Sequence, residues 1–357
     1  MTNKRLNKFG TMLGEFLEET NMSINEYAYR IETTPKNLID IINGKVALSE
    51  KMIRNISFVS SIPADTIFNI EQGYQLDNKI EEYLNKNNIT SKDFINAFNI
   101  KELKNINIID FRDERNNYTI IEDILKYLRI NNPALLTNIT NDNKIFYKSK
   151  NDKPFLLAIW LEMCYRETLK QSSKEYKKEN VNNILEFIRE QAKNNKLNEQ
   201  ALIKCFNDNG IYLSIVDDLK GSKIRGAFRV LRDKPAIYIT KKHKRYADIY
   251  FALLHELAHC VTDFNRAKKG SIISLMDDKE TEDYEIRADE KALNWMVPND
   301  LYALILEDIQ NNPIDKVIKS YDWPSSFIVY RLAKDKKISY SSKEYQKYNS
   351  LIEKGLN

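Results

Sequence analysis

From Tyr246 to Val261 the sequence reads as one apolar helix, and within it stand two of the chain's three histidines, His255 and His259. A helix that is apolar on every side must be buried, so the rest of the chain has to build a core around it. Residues i and i+4 share a helix face, which aims both imidazoles at one spot. The length suits that demand: 357 residues, 42% hydrophobic and 30% charged, can bury a sizeable core. At roughly 100–200 residues per domain, two or three domains are expected.

Several classes are excluded at once. No apolar run approaches ~18 residues, so no transmembrane helix and no membrane partner are expected. The N-terminus lacks the apolar core of a secretory signal. Neither G-x-x-x-x-G-K-[ST] nor G-x-G-x-x-G occurs. Cys164, Cys205 and Cys260 are odd in number and show no paired spacing. That pattern predicts free thiols in a cytoplasmic setting and rules out a cysteine-rich zinc finger.

The organisation predicted is mainly α with a small β-sheet, an α+β chain. Residues 1–78 hold short apolar-periodic segments with clear punctuation. Ser23-Ile24-Asn25-Glu26 opens a helix over Asn25–Ile31. Pro35 sits in the first turn of the next, which stops at Asn43-Gly44, and another begins after Ser49. Short helices joined by tight turns are the helix-turn-helix signature. Residues 79–200 read as a mostly helical middle region, with a polar loop over Asp142–Pro154 and a solvated, charged helix face over Lys170–Glu179. From about 201 the pattern changes. Strands are expected over 210–216, 226–231 and 236–240, then the apolar helix, a loop over 270–271 and 277–282, and a helix over Glu285–Met296 stopped by Pro298.

His255-Glu256-Leu257-Ala258-His259 is an H-E-x-x-H segment, which on a helix can hold one metal ion through both histidines. Glu256 lies about 100° further round. It can reach a water at the metal without being a ligand and act as base for attack on a carbonyl. A catalytic zinc needs a third protein ligand. The helix that follows supplies Glu285-Ile-Arg-Ala-Asp289, where Glu285 can ligate and Asp289, one turn on, can accept a hydrogen bond from a ligand histidine. His243, Glu280, Glu282 and Glu290 compete for the ligand role. Two histidines satisfied by ordinary hydrogen bonds on a core helix are the plainer alternative.

Taken together, HELAH, Glu285-x-x-Ala-Asp-x-x-Ala292 and Met296-Val-Pro298 resemble the ImmA/IrrE metallopeptidases, as does the strand pair leading into Phe251–His255. The resemblance implies a gluzincin-like domain over 201–357, with Zn2+ held by His255, His259 and Glu285 and with Glu256 as the base. Residues 13–77 resemble the XRE/Cro-type helix-turn-helix of the HigA antitoxins, through Leu13–Leu17, Met22–Ile24, Leu38–Gly44 and Ile67–Gln72. That likeness implies a five-helix DNA-binding domain over 1–78. Pro35–Ile42 is then the recognition helix, with Thr34, Lys36 and Asn37 toward base edges or phosphate, and Asn25 and Lys45 toward phosphate. The pair looks like the fused regulator–peptidase arrangement of mobile elements and toxin–antitoxin loci. It implies a DNA operator and a repressor or antitoxin substrate as partners. The other reading it allows is a HigA-like repressor whose peptidase fold only senses or docks.

Charge tempers the DNA reading. Residues 1–78 carry eight Lys/Arg against ten Asp/Glu, so one copy has little sequence-independent affinity for DNA and a homodimer is needed. Residues 220–245 hold ten Lys/Arg against the single acid Asp233. Arg225, Arg229 and Arg232 there are expected on an exposed edge strand that takes an acidic peptide substrate as an added strand. Phosphate contact and a charge-protected, solvated edge are the alternatives.

Overall fold

The computed structural model describes residues 8–110, 116–136, 154–275 and 283–352. The chain divides into two compact units, 1–139 and 140–357. The loop expected over Asp142–Pro154 and the one over 277–282 lie outside the described residues, apart from Pro154, which opens a helix.

The first unit is helical throughout its described part. It runs α1 (Lys8–Glu19), α2 (Ile24–Arg30), α3 (Pro35–Ile42), α4 (Glu50–Ser60), α5 (Ala64–Lys86), α6 (Ser91–Asn96), α7 (Ile100–Asn105) and α8 (Asn117–Tyr127). Local chemistry sets the starts. The hydroxyls of Ser23, Thr34 and Ser49 accept from the backbone N–H three residues on, at 3.2 Å each, and Pro35 occupies the first position of α3. After α3, Gly44 takes φ +68° while Lys45 N–H reaches back to Asp40 O, closing the helix. The first five helices share one core, in which Leu13, Tyr27, Leu38, Ile56 and Ile67 are fully buried. Position 78 falls inside α5, a continuous helix of 23 residues.

The second unit places a small sheet between helices. Its order is α9 (Pro154–Thr168), α10 (Val181–Lys193), α11 (Glu199–Asp208), β1 (Tyr212–Val216), β2 (Ile224–Leu231), β3 (Lys234–Thr240), α12 (Tyr246–Thr262), α13 (Phe264–Ala267), β4 (Ile272–Leu275), α14 (Asp283–Met296), α15 (Asn299–Asn311), α16 (Ile314–Ser320), α17 (Ser325–Lys334) and α18 (Lys343–Tyr348). The strand order is β1-β3-β2-β4, with β1 parallel to β3 and the other two pairings antiparallel. β2 and β3 are joined by Arg232-Asp233 alone, both at positive φ, as a two-residue hairpin with the sheet's twist requires.

One face of the sheet meets α12, whose residues from Ile249 to Cys260 are all buried. The other face is covered by α9. Trp160 sets its ring edge-on to Tyr238 at 6.4 Å, and Thr168 and Ser214 share a hydrogen bond of 3.0 Å. The stretch read as one middle region thus divides: α6–α8 belong to the first unit and α9–α11 to the second, and position 200 falls inside α11. α9 is apolar over residues 155–161 and charged only at Glu162, Arg166 and Glu167, a pattern that shows it has a buried side but not which unit it packs on.

The expected helix over Lys170–Glu179 is corrected. Gln171–Lys177 form no helix or strand, and a 3-10 turn follows at Lys178–Asn180. The segment is held by long-range bonds, Gln171 Nε2 to Leu213 O at 2.8 Å and Lys174 N–H to Asn207 O at 3.0 Å. A strand was also missed: β4 is short and falls where only a loop is expected. Among the described residues, no helix is long and apolar enough to cross a membrane.

Candidate metal centre

α12 starts without a side-chain cap of its own. Asn349, fully buried after α18, supplies one by accepting from Ala247 N–H at 2.9 Å. The helix then carries His255 and His259 across to α14, which brings Glu285 to them. His255 Nε2 and His259 Nε2 are 3.0 Å apart, and the Glu285 oxygens lie 3.1 Å and 3.3 Å from them. Four-coordinate ligands at about 2.0–2.2 Å from a zinc-sized ion stand roughly 3.3 Å from one another, so the group fits such an ion. Among the described residues this is the group of three that could hold a metal ion.

Both imidazoles are turned by acids on their far nitrogens. His255 Nδ1 meets Asp289 Oδ1 at 2.6 Å, and His259 Nδ1 meets Asp263 Oδ2 at 3.0 Å. Each acid selects the Nδ1–H tautomer and leaves a lone pair on Nε2. Two such lone pairs at 3.0 Å, with a carboxylate beside them, repel unless a proton or a metal cation lies among them. The charges respond accordingly. Burial lowers His259, but hydrogen bonds to Asp263 and Glu285 outweigh it and lift its pKa to about 9. Burial raises Glu285, but its bonds to the two histidines hold it at about 2. Asp289, buried beside His255, Arg225 and Lys334, is held well below the usual carboxylate range.

Asp263 was not expected, although it stands four residues after His259, at the last turn of α12. Its charge is shared with Thr262 at 2.6 Å and Arg287 at 3.6 Å. Glu256 is fully buried, and among the described residues neither carboxylate oxygen has a hydrogen-bond partner. Burial pushes its pKa up. Its room comes from β2: a Cβ on Gly226 would stand 2.6 Å from Glu256 Oε1 and 2.9 Å from Tyr238 O.

The competing ligands resolve differently. Glu280 and Glu282 lie outside the described residues, and Glu290 is not in the group. His243 is also elsewhere, hydrogen-bonded to the Arg225 backbone. Burial, then the Arg225 charge, pushes its pKa down to about 4. A neutral buried imidazole makes the second unit acid-labile. The unfolded chain takes up a proton near pH 6.5 and the folded chain only near 4, so stability is full above 6.5 and falls between the two. At pH 4.5 the loss is about 2–3 kcal/mol. His243→Gln should remove about that much of the difference between denaturant midpoints at pH 7 and pH 4.5. An unchanged difference would mean that the ring is protonated without cost.

The three arginines part company. β2 is not an edge strand, since β3 pairs on one side and β4 on the other; the outer strands are β1 and β4. A strand with charges every few residues looks like an edge until its partners are known. Arg229 pairs opposite Ala236, on the sheet face of Tyr238 and Trp160, away from α12. Arg232 is exposed in the hairpin turn. Arg225 alone reaches the centre, with Nη2 2.8 Å from His255 Nε2. Simple alternation would put it on the face of Arg229, but a bulge between Ile224 and Gly226 re-aims it. Much of the basic run is spent on contacts within the unit. Lys241 pairs with Glu199 at 2.9 Å, Lys242 donates to Ser222 O at 2.7 Å, and Arg245 holds Asn349 and Gln346.

In the first unit, Thr34 is the N-cap of α3, and Asn37 donates its side-chain amide to Thr33 Oγ1 at 2.8 Å. Both are therefore committed locally. Asn25 and Lys36 are exposed, and Lys45 is exposed with Asp40 3.9 Å away. The chain matches no protein-family model, and no curated protein matches it.

Proposed function

We propose that the chain is a zinc-dependent metallopeptidase of ImmA/IrrE type carrying an N-terminal DNA-binding helix-turn-helix, and that it cleaves a transcriptional repressor or an antitoxin. The observation that carries the reading is the meeting of three metal-ready donors with a buried carboxylate that belongs to none of them. A purely structural metal site has no use for Glu256, and an unpaired buried acid is costly to keep. Zinc, when bound, supplies a Lewis acid that polarises a carbonyl and acidifies water. Glu256, raised in pKa by burial, is suited to take a proton from the attacking water and return it to the leaving amine. Asp289 and Asp263 hold the two imidazoles in the ligating tautomer. Arg225, beside His255 and 14% exposed, would hold an oxygen of an acidic peptide.

The fused helix-turn-helix would bring the peptidase to DNA-bound regulators. Lys36→Ala should weaken operator binding at least several-fold and leave zinc content unchanged, because the two units have separate cores. A fluorescence titration with unchanged affinity would argue for a docking role instead. Substrate capture tests the peptidase itself. Glu256→Gln protein should retain a regulator from the host lysate, and wild-type protein should cut that same regulator in purified form. A retained regulator that wild type never cuts would count against proteolysis. It would favour the second reading, a HigA-like repressor whose metal centre only senses or docks. That reading draws on the depth of His255, Glu256 and His259, none of which is solvent-exposed.

A further inference from the structure

Arg225 stands where a metal site would not be expected to keep a cation. Its Nη2 is 2.8 Å from His255 Nε2, 3.7 Å from Glu285 Oε2 and 3.5 Å from Asp289 Oδ1. The side chain is only 14% exposed and its guanidinium lies 5.5 Å over the Phe251 ring. Among the described residues its buried Nε has no partner. The position is built, since the bulge in β2 turns the residue toward α12 against the alternation of the strand.

His255 has one lone pair to give. Its Nδ1–H is committed to Asp289 at 2.6 Å, so Nε2 is the acceptor. That lone pair can take a guanidinium N–H or a metal ion, and it cannot take both. Charge adds to the exclusion, because a guanidinium is never deprotonated in a protein and would stand within a few ångströms of a divalent ion. Retreat along Asp289 is limited as well. Lys334 already binds its other oxygen at 3.2 Å and lies over the same Phe251 ring at 4.9 Å.

We propose that Arg225 is an internal competitor for the metal: it occupies the metal-facing nitrogen of His255 in the metal-free chain and must release it before an ion can bind. The inference rests on the metal-centre reading given above. It also selects the ion. Magnesium and calcium gain little from imidazole nitrogen and cannot displace a charge-assisted hydrogen bond from it, whereas a zinc-like ion can.

The test is a titration of the full chain with Zn2+ alone against a chromophoric chelator. Arg225→Gln and Arg225→Ala should bind zinc roughly tenfold or more tightly than wild type, the worth of a hydrogen bond to a charged group. Arg225→Lys, which keeps the charge without the planar fork, should fall between. A second readout needs no variant: in wild type, modification of Arg225 by an arginine-selective dicarbonyl, followed by mass spectrometry, should rise when zinc is added. If wild type binds zinc but the Gln and Ala variants bind it equally or more weakly, or if zinc leaves Arg225 reactivity unchanged, the competition is overturned and the metal centre stands. If no form of the chain binds zinc, the metal centre falls and takes the competition with it.

Discussion

Glu256→Gln protein should purify with about one zinc per chain and show cleavage reduced by roughly 10²–10⁴-fold, the usual worth of a general base. His259→Ala should lose both metal and cleavage. The two outcomes differ because His259 offers Nε2 to the shared point, with Asp263 fixing its tautomer at 3.0 Å, whereas Glu256 is outside the donor group. Stability should separate the variants in the same order. Glu256 is a buried carboxylate without a hydrogen-bond partner among the described residues, so the neutral, isosteric amide should not destabilise the metal-free fold. Elemental analysis, single-turnover cleavage and thermal melts read the three quantities. Metal lost with Glu256→Gln, or full cleavage retained, would remove Glu256 from the role of base.

The second large effect is on folding. Gly210→Ala should destabilise the second unit by more than ~3 kcal/mol and lower its yield of soluble protein. Gly210 lies between α11 and β1, at φ +88°, with its N–H bonded to Asn207 O. An added Cβ would stand 2.3 Å from Tyr176 Cα, 2.5 Å from Glu175 O and 2.6 Å from Tyr176 N. These are backbone atoms, and the Tyr176 side chain is itself stacked on Phe264 at 5.7 Å, so the segment cannot yield. Gly221→Ala is the control. It has φ +97° but open space, its nearest neighbour being Leu156 Cδ1 at 3.9 Å, so it should cost only the backbone term of about 1–2 kcal/mol. Equal losses from the two variants would show that the contact with Tyr176 contributes nothing.

What could be read from residues alone was whatever repeats over one or two turns of chain. Ser23 and Ser49 announced helix starts because a hydroxyl reaches a backbone N–H three residues ahead whatever the tertiary context, and Pro35 announced a third through its fixed φ. His255 and His259 were legible for the same reason, since a four-residue step on a helix needs no partner to define a face. The step from Glu285 to Asp289 repeats that logic on α14, and the fold brings it to His255 as a carboxylate on each ring nitrogen.

Other features depended on partners far away in the chain, and the sequence carried no local sign of them. The cap of α12 comes from Asn349, about a hundred residues on. α9 carries charges at Glu162, Arg166 and Glu167 that say nothing of its partner, so only its packing on Tyr238 assigns it to the sheet. Arg225, Arg229 and Arg232 look alike as a basic strand. A one-residue bulge, set by the pairing of β2 with β4, sends the first to the candidate metal centre while the second faces α9 and the third stays in the turn. Spacing along one helix is a property of the covalent chain and survives any packing. Register between strands is decided by which partner a strand meets, and one inserted residue reverses the face that each side chain takes.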